Sequence, residues 1–168
     1  MPQFCGMKIC YHLFLFCAFI IFYFSASAQA LEIAAGQNFI PGDYLSLRYE
    51  SSPDYTLNWA VKGFFEKTHV KSLHYSAVGF DLLGVYPIRF LRLGAGPTIQ
   101  LEREPWVYAG WDLSKRLNFG LTTEAALQFD ISENISLTAT AQQKFLLNSA
   151  LGNTHFICAI GIKYSFGN

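Results

Sequence analysis

Apolar and polar residues alternate with a period of two through three consecutive segments, 119–131, 135–147 and 154–166. One side of each segment is rich in Phe, Leu, Ile and Ala, and the other carries mostly Gly, Ser, Thr, Ala, Gln, Glu and Lys. This period indicates a β-strand with one apolar face. Roughly twelve residues is long for a strand of a globular domain but suits a strand that crosses a bilayer at a tilt. The segments therefore predict transmembrane β-strands.

The same alternation, interrupted by turn-forming residues, predicts eight strands. We place them at 31–38, 43–50, 55–66, 72–85, 88–101, 119–130, 135–147 and 154–166. No apolar run long enough for a spanning helix occurs within 29–168, so a membrane-embedded form must be a closed barrel that satisfies its own backbone. The predicted fold of 29–168 is all-β, an eight-stranded antiparallel transmembrane β-barrel.

The lengths of the predicted connectors suggest an orientation. If the N-terminus lies in the periplasm, the fifth connector, 102–118, lies outside, and it is the longest. Tight turns at Ser51–Asp54, Tyr86-Pro87 and Asp130–Asn134 then lie in the periplasm. Short periplasmic turns and longer outer loops are typical of bacterial outer-membrane barrels.

Composition also favours a lipid-solvated surface, because only 14% of residues are charged while 17% are aromatic; soluble domains carry about 25% charged residues. A soluble barrel of the lipocalin type is the alternative, but its outward polar face should be rich in Lys, Glu and Asp. The polar face here is mostly Thr, Ser, Gly and Gln with isolated charges. The net charge of +0 predicts no direct nucleic-acid binding.

The N-terminal segment, 1–28, has the composition of a signal peptide. Lys8 precedes an apolar run, Leu13–Phe24, and a small-residue segment ending in Ala28 follows. This layout predicts cleavage and export, and hence the outer membrane of a Gram-negative bacterium. A retained membrane anchor is the alternative interpretation.

Three of the four cysteines fall within 1–28, which leaves Cys158 on a predicted apolar face. A lone cysteine forms neither an internal disulfide nor a metal cluster. We therefore predict no metal and no cofactor, and we expect Cys158 to face lipid without chemical function.

The polar face of the strands is predicted to fill the barrel interior, because eight strands enclose only enough space for side chains. Its charged members in this prediction are Glu32, Arg48, Lys62, Asp81, Arg92, Glu124, Lys144 and Lys163. Buried charges must pair, since an unpaired one is costly. We expect a plugged polar interior, with Glu124 near Lys144 as one such pair. The opposite face, which includes Leu47, Trp59, Phe80, Leu127 and Phe145, is predicted to contact outer-membrane lipid.

His74 and Ser76 form the one candidate catalytic pair, since positions i and i+2 share a strand face and His could activate the Ser hydroxyl. The pair resembles the His-x-Ser arrangement of outer-membrane lipid A deacylases. It departs from that family because Ala77 follows the serine where the family has Asn, and because the nearest acid, Asp81, falls on the opposite face. We therefore predict that the protein is not an enzyme.

The predicted outer connector contains Trp106, Tyr108 and Trp111 among charged residues. Exposed aromatic residues of this kind could contact a partner or glycan. The alternative, which we prefer, is that they extend the barrel wall and its aromatic belt.

The C-terminal half resembles the TraO family of conjugative-transposon transfer proteins of Bacteroides and relatives. The matching segments are Leu93–Gly96, Gly120–Ala125, Ser132–Leu137, Gln142–Phe145 and Gly161–Phe166. The resemblance implies a non-enzymatic outer-membrane part of a conjugal DNA transfer apparatus, with other proteins of that apparatus as partners. A general adhesion or envelope-stability barrel is the alternative.

Overall fold

The chain forms a closed antiparallel β-barrel, as predicted. The computed structural model describes residues 29–39, 42–51, 57–68, 75–103, 115–149 and 151–166. Its strands are β1 (Gln29–Asn38), β2 (Gly42–Glu50), β3 (Asn58–Thr68), β4 (Ser76–Ile88), β5 (Leu91–Arg103), β6 (Lys115–Asp130), β7 (Ile135–Leu146) and β8 (Thr154–Phe166). Each strand pairs with the next, and β1 also pairs with β8. Within the described ranges no helix is long and apolar enough to cross a membrane. The predicted signal peptide lies outside those ranges.

The hairpin between β4 and β5 differs from the prediction. Pro87 lies inside β4 opposite Arg92, and the turn is formed by Arg89 and Phe90. Arg89 has a φ of 52°, the left-handed conformation that a tight turn requires. Pro87 is tolerated there because a proline near a strand end removes a single ladder donor. The prediction of a turn at Tyr86-Pro87 is therefore wrong by about three residues.

We name the two ends of the barrel by their connectors. The short-turn end carries 89–90 and 131–134, and the long-loop end carries 104–114 and 147–153. The connector at 51–57 also belongs to the short-turn end and is longer than the other two. The prediction of a tight turn there is wrong, because β3 begins at Asn58 and not at residue 55. The orientation of these ends relative to the periplasm stays a prediction.

The two faces of the wall have opposite chemistry. Buried and exposed side chains alternate along β2, β3, β4 and β8. The outward side chains are large and apolar, and Trp59, Leu121 and Ile160 are 57%, 61% and 65% exposed. A surface of this kind is solvated by lipid, as the outer band of transmembrane barrels is. Cys158 is on this outward face, as predicted.

The interior is mixed rather than uniformly polar. Tyr44 and Phe64 stack with ring centroids 6.3 Å apart and pack with Ile157 in one apolar cluster. A second apolar cluster contains Leu83 and Val85. These apolar side chains therefore share the interior with the buried charged groups.

Candidate functional site in the barrel interior

All eight charged residues predicted for the interior lie there. None of Glu32, Arg48, Lys62, Asp81, Arg92, Glu124, Lys144 and Lys163 is more than 6% exposed. They converge because the pleat directs every second side chain inward, and cross-strand register then sets neighbours. Arg48 lies opposite Lys62, which lies opposite Asp81, so β2, β3 and β4 contribute one row of charges.

The central layer is organised around the carboxylate of Glu124. It accepts hydrogen bonds from Arg48 Nη1 and from Lys62 Nζ, the latter at 2.7 Å. Lys62 Nζ is also 3.3 Å from Asp81 Oδ2 and donates to Gln142 Oε1 at 3.0 Å. The Gln142 amide donates in turn to Asp81 at 2.9 Å. Because β6 and β7 lie across the barrel from β2 and β3, these bonds span the interior.

A glycine makes this arrangement possible. Gly94 on β5 lies opposite Glu124 on β6. A Cβ atom at Gly94 would come within 2.7 Å of Glu124 Cγ. The inward-facing glycine therefore leaves the room in which the carboxylate reaches across the barrel, as expected for small residues among bulky interior neighbours.

The layer toward the short-turn end is held by Arg92 and Glu50. Arg92 pairs with Glu50 and is 3.3 Å from Glu32 Oε2. Glu50 also pairs with Lys163 at 3.4 Å and with Arg48 at 3.5 Å, so one carboxylate joins three cations. Charge-assisted bonds of this density stabilise a buried network only when nearly every member is paired.

The layer toward the long-loop end contains Lys144 and Glu66. Lys144 Nζ lies 2.5 Å from Glu66 Oε1 and 3.0 Å from the centroid of the Phe64 ring. Asn38 Nδ2 donates to the other oxygen of Glu66 at 3.2 Å. The expected pair of Glu124 with Lys144 therefore does not form. The two residues are diagonal neighbours on β6 and β7, but each bonds across the barrel instead.

Four interior residues with a carboxylate or imidazole side chain were absent from the sequence prediction: Glu50, Glu66, Glu102 and His155. Glu50 and Glu66 are the last residues of the predicted strands 43–50 and 55–66. Tilt of the strands raises their ends past the ends of their neighbours, so terminal residues can still lie inside. Strand parity was the available signal, since both glutamates share the inward parity of Arg48 and Lys62.

The alternative catalytic pair is only partly described. Ser76 begins β4 and is partly exposed, whereas Asp81 is fully buried on the opposite face of the same strand. The opposite placement of Asp81 agrees with the sequence argument against this pair. His74, Trp106, Tyr108 and Trp111 lie outside the described residues.

The central layer leaves little open space. A cavity of about 10 Å³ lies among Arg48, Lys62, Glu124 and Gln142. That volume is near the minimum that holds one water molecule. Among the described residues no group of His, Cys, Asp and Glu is arranged to hold a metal ion.

The fold resembles solved outer-membrane barrels. The N-terminal β-barrel domain of Pseudomonas aeruginosa OprF is 12% identical, with a TM-score of 0.58 over 83% of this chain and 98% of that one. Neisserial surface protein A is 14% identical, with a TM-score of 0.61 over 83% and 96%. Yersinia pestis outer membrane protein Ail is 11% identical, with a TM-score of 0.58 over 83% and 99%.

At these identities the likeness establishes the fold alone. It matches the barrel to proteins of the Gram-negative outer membrane. Neither a protein-family model nor a curated protein sequence matches this chain.

Proposed function

We propose that this protein is a non-conducting, structural barrel of the Gram-negative outer membrane, serving envelope stability or adhesion. The observation that carries this proposal is the closed interior, where Glu124 bonds to Arg48 and Lys62 across the barrel. A cavity of about 10 Å³ in this layer offers no path for a hydrated ion or sugar. The outward apolar band supports outer-membrane lipid as the surrounding partner.

Permeability tests the non-conducting part. The purified protein is inserted into vesicles loaded with a small sugar, and sugar release is compared with that of protein-free vesicles. We expect equal release. A Lys62→Ser, Glu124→Ser double variant is the matched control, because it removes two side chains that span the central layer. The control should raise release, provided that the unheated barrel still migrates as a folded species on a gel. Release by the unmodified protein at the level of an open pore would contradict the proposal.

Envelope stability and adhesion are tested by separate assays. If the barrel supports the envelope, deleting its gene should increase sensitivity to bile salts and detergents. A variant with Trp106, Tyr108 and Trp111 changed to Ala should then restore resistance, because the sequence predicts these residues in the connector that follows the fifth strand. If the protein mediates adhesion, as the name attachment invasion locus protein says of Ail, the same variant should lose surface attachment. A deletion strain unchanged in both assays would exclude both roles.

Conjugal DNA transfer is the second candidate, supported by the resemblance of 93–166 to TraO proteins. Several residues of the matching segments, including Glu124, Gln142 and Lys144, belong to the interior network. Deletion of the gene from a donor strain should then lower transfer frequency, and plasmid-borne protein should restore it. Transfer at the parental frequency would refute this candidate. Transfer lost without any change in detergent resistance would favour it over the envelope role.

A further inference from the structure

Three side chains at the long-loop end form a continuous row that the network above does not explain. Ser149 Oγ lies 3.3 Å from His155 Nε2. His155 Nδ1 lies 3.5 Å from Glu66 Oε2. The imidazole is fully buried, and its Nδ1 has no hydrogen-bond partner at ideal geometry. The nearest acceptor for an Nδ1 proton is therefore Glu66.

This order of groups is that of an activated serine nucleophile. A hydroxyl meets one ring nitrogen, and a carboxylate faces the other and selects the tautomer that can accept the hydroxyl proton. Glu66 is fixed for that task, because Lys144 and Asn38 already bind its two oxygens. His155 is fixed by burial and by an edge-to-face contact with Tyr75, whose ring centroid is 6.3 Å away.

We infer that Ser149, His155 and Glu66 form a hydrolytic site at the long-loop end of the barrel, acting on short acyl esters. This activity is separate from the proposed structural role, and neither depends on the other. It also uses residues different from His74 and Ser76.

The reaction balances without a further reagent. Ser149 Oγ forms a bond to the ester carbonyl carbon while His155 Nε2 takes the hydroxyl proton. The bond from carbon to the leaving alkoxide then breaks, and the alkoxide receives that proton. Water attacks the acyl-serine next, His155 accepts its proton and returns it to Oγ, and the acid leaves.

The connector supplies a hydrogen-bond donor beside the nucleophile. The backbone N–H of Leu151 donates to Ser149 Oγ at 3.3 Å. This hydrogen bond holds the Ser149 oxygen in place within the connector. Gly152, with a φ of 104°, turns the connector back so that its own N–H bonds to the Ser149 carbonyl at 3.3 Å.

The direction of approach defines the substrate class. His155 faces the interior, and Ser149 is partly exposed in the connector above it, so an ester must arrive from the aqueous mouth. Arg116 stands nearby, with its guanidinium 3.4 Å from the side-chain oxygen of Asn148. The guanidinium is cationic, so it favours a short acyl group on a polar or anionic carrier over a long lipid chain.

Covalent labelling with a biotinylated fluorophosphonate tests the nucleophile directly. Ser149 Oγ would displace fluoride from phosphorus, with its proton passing to His155. The folded, detergent-solubilised barrel should be labelled, and Ser149→Ala should abolish labelling. Ser132→Ala, an exposed serine in the turn at the opposite end, should leave it unchanged. Absence of label on the folded protein, or label that survives Ser149→Ala, would overturn the inference.

The histidine and the ester preference are tested in the same preparation. His155→Gln should slow labelling by about 100-fold or more, because general-base assistance of this kind is worth 10²–10⁴. p-Nitrophenyl acetate should be hydrolysed faster than the palmitate ester. Unchanged labelling by His155→Gln, with the barrel folded, would refute its role as base. Preference for palmitate would refute the substrate class.

Glu66 is a positioning residue and needs a separate readout. In Glu66→Gln the limiting rate of labelling should fall about 10-fold or more, a smaller effect than the 10²–10⁴ expected for loss of the base itself. The reagent concentration that gives half the limiting rate should not change, because Glu66 does not touch the reagent. A rise in that concentration at a constant limiting rate would show a merely structural role.

Discussion

The carboxylate of Glu124 should be costly to remove, because it joins two buried cations across the barrel. It binds Arg48 and Lys62, whose side chains are 2% and 5% exposed. Glu124→Gln keeps the shape of the side chain and removes its charge. Deleting one partner of a buried ion pair costs about 3–5 kcal/mol, because the remaining charge stays desolvated.

Two opposing effects set the expected magnitude. Arg48 and Lys62 are direct cross-strand neighbours, so without Glu124 their like charges repel. Each cation nevertheless keeps a second carboxylate, Glu50 at 3.5 Å and Asp81 at 3.3 Å. We therefore expect a loss equivalent to one buried pair, about 4 kcal/mol, rather than two. With an m-value of about 2 kcal/mol/M, the urea midpoint should fall by about 2 M.

The assay is reversible urea unfolding of the barrel in detergent micelles, followed by tryptophan fluorescence and by the gel shift of the unheated protein. Thr123→Ala is the matched control, because it lies one residue away on the outward face and should change stability by about 0.5 kcal/mol or less. Adding Lys62→Met to Glu124→Gln should recover part of the loss, since the repulsion between Lys62 and Arg48 is then removed. A Glu124→Gln barrel as stable as the Thr123→Ala control would refute the network as an energetic unit.

Three further predictions concern the wall. Ile160→Arg, on the outward face at the middle of β8, should destabilise the inserted barrel by about 2–4 kcal/mol. Phe166→Arg, at the end of the same strand, should cost only about 0–1 kcal/mol. Equal costs for the two variants would contradict a bilayer centred on the middle of β8. Gly36→Ala should destabilise the barrel by about 1–3 kcal/mol, because the added Cβ would meet the β8 backbone. Gly84→Ala should be close to neutral, because the nearest atom to its added Cβ is 3.7 Å away. Equal urea midpoints for the two variants would refute the close contact between Gly36 and β8. Because its thiol faces the lipid, Cys158 should react slowly with a charged maleimide in vesicles and rapidly after the protein is unfolded. Mass spectrometry measures the labelled fraction. Fast reaction in vesicles would show that water reaches this face.

Periodicity alone predicted the wall of the barrel, because the alternation of side chains across a strand is a local property of the pleated backbone. The inward positions of Arg48, Asp81 and Lys163 required only the parity of β2, β4 and β8. The same argument placed Leu47 and Phe80 outward. Turn chemistry was less reliable, since Pro87 suits both a turn and a strand end, and only the paired register decides between them.

Partners inside the barrel could not be predicted from the sequence. Arg48 and Glu124 are separated by 76 residues, and Glu50 and Lys163 by 113. These pairs join strands that do not neighbour one another in the sheet. Which strands face each other, and at what height, depends on the tilt and stagger of the closed sheet. The same closure of the sheet brings Glu66 close to His155 and Ser149. No spacing along the sequence therefore predicts that these three side chains lie in a row.

The charged interior also fixes the pairing register of the strands, and this effect is separate from its contribution to the free energy of unfolding. Well-packed apolar residues often match or exceed a buried ion pair in stability. In lipid, however, an apolar interior would make both faces of every strand alike, and a slip of one residue would carry little penalty. With Glu124 on the inward face of β6, the same slip turns its carboxylate into the hydrocarbon and brings Thr123 inside. The slip would also leave Arg48 and Lys62 without their shared partner. The interior charges therefore select one pairing of the strands, because each alternative places several charges in lipid at once.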